Sequence, residues 1–162
     1  MALFFLLVGV TALGGAFISQ YGFDLKPCVL CIYQRYPFGI VIALAALLYG
    51  FRDKKVRDGI ITLAIITLLV GGGIAVFHVG VEQKWWEGTT HCGSDLNSDS
   101  IEALRAKIMG AATVRCDEPQ FVFLGLSMAG YNVLYSFGAA LFASYYLCTL
   151  RDKSHGKKKR KA

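Results

Sequence analysis

Uncharged apolar runs alternate with short charged segments along this chain, and the runs have the length of membrane-crossing helices. Met1 to Phe23 carries no charged residue; as a helix rising about 1.5 Å per residue it is long enough to cross roughly 30 Å of hydrocarbon. A second run extends from Tyr36 to Phe51, a third from Gly59 to Val81 with His78 as its only titratable group, and a fourth lies within the uncharged stretch Gln120 to Leu150. This pattern predicts an all-α, integral membrane four-helix bundle with spans at about 2–22, 34–51, 59–81 and 129–150. The second run is short for a crossing, which sets Arg35 at the membrane surface with its side chain snorkelling. The fourth is longer than a crossing needs, so Phe121 to Gly130 is expected to lie along the interface or tilt in before the helix crosses. Gly71, Gly72 and Gly73 fit a span, because small residues let helices approach closely.

Composition agrees with a membrane bundle. Hydrophobic residues make up 55% of the 162 positions and charged ones 17%, and the chain is too short to house four spans and a separate soluble domain. A single domain over 1–162 is expected. Met1 to Phe23 lacks the basic leader of a cleaved signal sequence and is expected to be retained.

Charge orients the bundle. Arg52, Lys54, Lys55 and Arg57 crowd the loop between spans two and three, and the tail 151–162 carries Arg151, Lys153 and the run Lys157 to Lys161. The positive-inside rule makes both cytoplasmic. The loop of about 82–120 spreads Lys84, Arg105, Lys107 and Arg115 among acids and belongs outside; parity puts the loop of about 23–33 outside with it and both termini inside. The net charge of +6 is therefore mostly an orientation signal rather than a nucleic-acid patch.

Four cysteines then share the outer compartment: Cys28 and Cys31 in the first outer loop, Cys92 and Cys116 in the second. Such compartments permit disulfides, so two structural bridges are the plain alternative. A Cys-x-x-Cys, however, closes a very small ring and makes a poor staple. Pro27 precedes Cys28 and the following residues lead into a helix, which places the thiols in its first turn, where free N–H groups stabilise a thiolate. Arg35 lies four residues after Cys31, on the same helical face, and is expected to lower the Cys31 pKa and to stabilise charge on a docked electron acceptor. Because Arg35 borders the hydrocarbon, the acceptor is expected to be lipid-soluble, with a membrane quinone the first candidate. Zinc held by the four loop cysteines is disfavoured by the long second spacing, and covalent haem attachment by Ile32 after Cys31, so no metal is expected.

The second outer loop has its own pattern. Ile101, Leu104, Ile108 and Met109 recur at helical spacing behind Asp99 and Glu102, predicting a short amphipathic helix over Ser98–Met109 on the membrane surface. Trp85 and Trp86 read as interfacial anchors. His78 and Glu82, one turn apart, could border the acceptor pocket; Glu82 is expected to be solvated at the interface and Cys148 to be an inert buried thiol.

Through Lys26-Pro27-Cys28-Val29-Leu30-Cys31-Ile32-Tyr33-Gln34-Arg35 the chain resembles the bacterial disulfide bond formation protein B family, DsbB. The likeness continues through Phe77 to Glu82, Trp85-Trp86, Cys92, Cys116 and Phe123 to Met128. The resemblance implies an inner-membrane enzyme that re-oxidises a periplasmic thioredoxin-fold protein, DsbA, and passes electrons to ubiquinone or menaquinone. It implies that Cys92 forms the mixed disulfide with the partner and that Cys116 is its mate. Cys28 and Cys31 would be the quinone-coupled pair, with Cys31 nearest the ring, Arg35 beside it and His78 a further cofactor-binding candidate. Two other readings stay open: an enzyme like the vitamin K epoxide reductase group, and a passive disulfide-stabilised tetraspan scaffold.

Overall fold

The computed structural model describes residues 1–89 and 115–159, with side chains of the last helix as far as Thr149. Cys92 and the amphipathic helix expected over Ser98–Met109 lie outside the described residues. The elements are α1 (Ala2–Gly22), α2 (Val29–Tyr33), α3 (Arg35–Gly50), α4 (Lys54–Glu82), a hairpin of β1 (Val122–Phe123) and β2 (Leu126–Ser127), and α5 (Met128–Lys159). Among the described residues, α1, the α2–α3 unit (Val29–Gly50) and α4 are long and apolar enough to cross a membrane. The α5 helix adds a segment without charge from Met128 to Leu150 and continues as helix through Lys159. The architecture is an all-α membrane helical bundle.

Helix boundaries follow from caps that hydropathy does not register. The second crossing begins at Val29 rather than near residue 34, because Cys28 is its N-cap and Cys28 Sγ accepts the Cys31 N–H at 3.3 Å. It breaks at Gln34, three residues before Pro37, which has no N–H for the Tyr33 carbonyl and whose ring crowds it. The third crossing starts at Lys54, ahead of its apolar run, since the Asp53 carboxylate accepts the N–H groups of Lys55 and Val56 at 2.7 and 3.2 Å.

α4 packs against both α3 and α5, and α3 against α1. Buried residues recur at helical spacing on the facing stripes: Phe38, Val41, Ala45 and Leu48 on α3, Ile61, Ala64 and Leu68 on α4, and Ala140, Ala143 and Leu147 on α5. Large apolar side chains such as Leu7, Ile40, Ile66 and Leu141 point outward. In lipid this outward face costs nothing, and close packing holds the helices instead. Gly72 shows why: a Cβ there would sit 3.0 Å from Phe137 of α5, whereas one on Gly73 would meet nothing within 4 Å.

At the end of the bundle carrying the Cys28 loop, α4 finishes in a left-handed cap. Lys84 has φ +59°, its N–H bonds to Val81 O at 3.1 Å, and Trp85 N–H bonds to Gly80 O at 2.9 Å. This turn folds Trp86 back onto α4, where its ring stacks on Phe77 with centroids 5.8 Å apart and its Nε1–H donates to Phe77 O at 2.9 Å. Trp86 is thus a clasp on the helix end, although both it and Trp85 are exposed. Within the segment Phe121 to Gly130, residues 122–127 form a hairpin and α5 begins at Met128. Val122 pairs with Ser127 across a two-residue loop, Leu124 (φ +49°) and Gly125 (φ +78°), whose positive φ values match the twist of tight hairpins.

Candidate functional site

The site forms where the N-terminus of α2 meets the last turns of α4. Cys28 is buried and Cys31 partly so; their sulfurs lie 2.9 Å apart as free thiols. They pack with Leu30, Val81, Phe77 and Cys116 in one buried cluster. Cys116 is disulfide-bonded and 1% exposed. The fold therefore brings a cysteine of the second loop to the Cys-x-x-Cys of the first.

The capping geometry favours charge on Cys28 rather than Cys31. Against the opposing effect of burial, the hydrogen bond between the two sulfurs, helped by His78 and the Cys31 N–H, pulls the Cys28 thiol well below its ordinary value. Arg35 is not committed to the sulfurs as the sequence reading expected. Its Nη1 donates to Gln20 Oε1 at 2.7 Å, and its guanidinium lies 5.3 Å from the Phe17 ring centroid, so both α1 residues hold it at the cavity wall.

His78, 3% exposed, faces the bundle interior with Nε2 3.5 Å from Cys28 Sγ. Glu82 is not solvated at the interface: its side chain is 5% exposed, Oε1 lies 3.8 Å from His78 Nε2, and Oε2 accepts from Ser127 Oγ at 2.5 Å. A carboxylate at such depth is retained only with partners of this kind. Cys148 stands apart on α5 and is exposed, on the face that lipid would cover, rather than buried.

Three site residues were not singled out in the sequence. Gln34, buried, lies 2.8 Å by Nε2 from His78 Nδ1; Asn132 Nδ2 donates to Gln34 Oε1 at 2.5 Å; and Ser136 Oγ donates to Asn132 Oδ1 at 3.0 Å. Asn132 and Ser136, a polar pair one helical turn apart inside an uncharged span, were the available signal, since polar groups within a membrane helix usually face a partner.

Beside these groups opens a cavity of about 390 Å³, walled largely by apolar atoms and bordered by Cys28, Cys31, Arg35, His78, Asn132 and Tyr135. That volume lies within the range of small-molecule sites. Cys28, Cys31 and His78 also bring two sulfurs and a ring nitrogen within 4.8 Å of one another.

A helix-capping Cys-x-x-Cys, a disulfide-bonded cysteine packed in the same cluster and an apolar cavity at the end of membrane helices define a membrane thiol–disulfide protein. Comparison with known proteins reaches the same class. The family model described as disulfide bond formation protein DsbB matches residues 1–146. Disulfide bond formation protein B of Xanthomonas campestris pv. campestris (strain 8004) is 35% identical over 150 residues, covering 86% of each chain. Its namesake in Aromatoleum aromaticum is 34% identical over 155 residues, covering 88% of this chain and 89% of that one. An uncharacterised protein of Rickettsia prowazekii is 27% identical over 143 residues, covering 86% of this chain and 82% of its own. The chain belongs to the DsbB family. It is a multi-pass bacterial membrane protein of disulfide bond formation, a disulfide oxidoreductase by family.

Proposed function

We propose that the protein is a quinone-dependent thiol–disulfide oxidoreductase that re-oxidises a periplasmic DsbA-like thioredoxin-fold partner. The observation that carries this reading is the shared cluster of Cys28, Cys31 and Cys116 beside an apolar cavity. On this reading residues 1–162 form one inner-membrane domain, with both termini cytoplasmic and the cysteine loops periplasmic.

The residues present suit a quinone. The cavity is large enough and mostly apolar, as a lipid-soluble ring requires, and Arg35 brings N–H donors to its wall. Arg35, His78 and the Cys31 side would hold the ring; ubiquinone and menaquinone both fit this chemistry. A bound quinone supplies the oxidising power, taking up two electrons and two protons overall.

The protein's own steps are thiol exchanges. A thiolate of the reduced partner attacks Cys92 of a Cys92–Cys116 disulfide, forming the mixed disulfide and leaving the electron pair on Cys116. The partner's second thiolate then attacks the partner sulfur of the mixed disulfide, which releases Cys92 as a thiolate and the partner with its own disulfide formed. Exchange between the two cysteine pairs transfers the reduction to Cys28 and Cys31. Re-forming the Cys28–Cys31 bond releases two electrons; one proton comes from the Cys31 thiol, and His78 with Glu82 is placed to pass the other. Each exchange swaps similar bonds, so direction comes from the final acceptor, about 30 mV being worth roughly 1.4 kcal/mol for a two-electron couple.

The test uses purified protein, reduced partner and a short-chain quinone, comparing wild type with Cys31→Ser and Cys92→Ser. Loss of quinone reduction in both variants is expected, with a mixed disulfide trapped only through Cys92. Retained quinone reduction in either variant would overturn the relay. A scaffold would leave the first pair unchanged when reduced partner is added.

A further inference from the structure

The hydrogen bonds around His78 have a direction that follows from the amides of Asn132 and Gln34. On one side, Nε2 faces Cys28 Sγ at 3.5 Å and Glu82 Oε1 at 3.8 Å. Asn132 Nδ2 donates to Gln34 Oε1, which leaves the Gln34 amide NH2 to face Nδ1, so the proton of the neutral ring lies on Nε2, the nitrogen facing Cys28. Nδ1 accepts from the Gln34 NH2 at 2.8 Å. The Asn132 Nδ2 donates to the Gln34 oxygen at 2.5 Å, and the Asn132 oxygen faces the hydroxyl of Ser136, which donates at 3.0 Å. Ser136 is fully buried. The chain of donors runs one way, from the middle of α5 through the break between α2 and α3 to the sulfur.

We propose that Gln34, Asn132 and Ser136 are positioning residues that hold His78 as the Nε2–H tautomer and so aim its proton at Cys28. The inference rests on reading Cys28–Cys31 as the redox pair. It adds to that reading a fixed donor aimed at Cys28 Sγ, 3.5 Å from Nε2. Buried polar networks rigidify when every member is satisfied, and here each side-chain amide is bonded at both its oxygen and its nitrogen. The break at Gln34 has a use in this scheme, because it lies where the side chain must reach from the α2–α3 crossing to both α4 and α5.

Among the described residues, the charged and titratable groups that face His78 are Cys28 and Cys31 from the first loop and α2, and Glu82 from α4. Arg35, Lys26, Arg115 and Glu118 border the same cavity and bear on its pH response.

Two measurements test the assignment without partner or quinone, so their failure is separable from failure of the proposed activity. Nitrogen-15 NMR of histidine-labelled reduced protein should find neutral His78 protonated at Nε2. An Nδ1–H tautomer, or a ring protonated at both nitrogens at neutral pH, would overturn the proposal. Alkylation of Cys28, followed against pH with the site assigned by mass spectrometry, should shift its midpoint upward by about one pH unit in Gln34→Met. Asn132→Leu should shift it the same way by less. In a His78→Ala background Gln34→Met should add nothing, because Gln34 acts only through the ring; an additive shift, or none in Gln34→Met alone, contradicts the assignment. Should Gln34→Met not fold, the wild-type NMR result stands by itself.

Discussion

Ser127 donates to the Glu82 carboxylate at 2.5 Å while accepting the Gly130 N–H at 3.1 Å, so one hydroxyl caps α5 and fastens the hairpin to the end of α4. Ser127→Ala leaves a buried carboxylate oxygen without this donor. A hydrogen bond to a charged group is worth about 1.5–3 kcal/mol. Unfolding of Ser127→Ala in mixed micelles should show a loss in that range, and Ser127→Thr should restore most of it. No measurable loss would show that Glu82 finds another partner.

The lowered thiol of Cys28 sets a pH dependence with a definite sign. A thiol whose folded value lies below its unfolded one stays a thiolate under conditions where an ordinary cysteine, near about 8.5, is protonated. Reduced protein should therefore alkylate at Cys28 well into the acidic range, with the rate falling only as pH drops through the folded value. The same linkage makes the reduced form gain stability as pH rises from that folded value toward the unfolded one. Equal alkylation profiles for Cys28 and Cys148 would remove the effect.

Arg35 is held by Gln20 and Phe17 rather than by a sulfur, which makes it part of the cavity wall. Arg35→Gln should raise the apparent KM for a short-chain quinone about tenfold, equivalent to roughly 1.4 kcal/mol, with little change in KM for the reduced partner. Arg35→Lys should recover only part of this, since an ammonium lacks the planar fork. An unchanged KM for quinone would take Arg35 out of the site.

Helix packing gives a paired prediction on adjacent glycines. Gly72 abuts Phe137 and Gly73 faces open space. Gly72→Leu should destabilise the bundle by about 1–3 kcal/mol through overpacking, whereas Gly73→Leu should stay within about 0.5 kcal/mol of wild type. Comparable losses in both would mean that the α4–α5 contact lies elsewhere.

The candidate site was half visible in the chain. Cys28, Cys31 and Arg35 announced themselves by local spacing at the start of a helix, and His78 as the one titratable group in its apolar run. Glu82 was misread as solvated because nothing near it in sequence reveals Ser127, and the return of Trp86 to Phe77 was not visible because it depends on a left-handed turn at Lys84. Gln34 was not singled out, since its partners Asn132 and His78 lie on other helices.

By itself the sequence determined where helices can cross a membrane and that two thiols begin one of them, because run length, net charge and capping are properties of neighbouring residues. Only the tertiary structure decided which sulfur receives the donors, that Arg35 turns to α1, and that Ser136, Asn132 and Gln34 lead to His78. Those outcomes depend on side chains from separate helices meeting within hydrogen-bond distance, and the rotation of each helix about its axis is set by packing that no local pattern encodes.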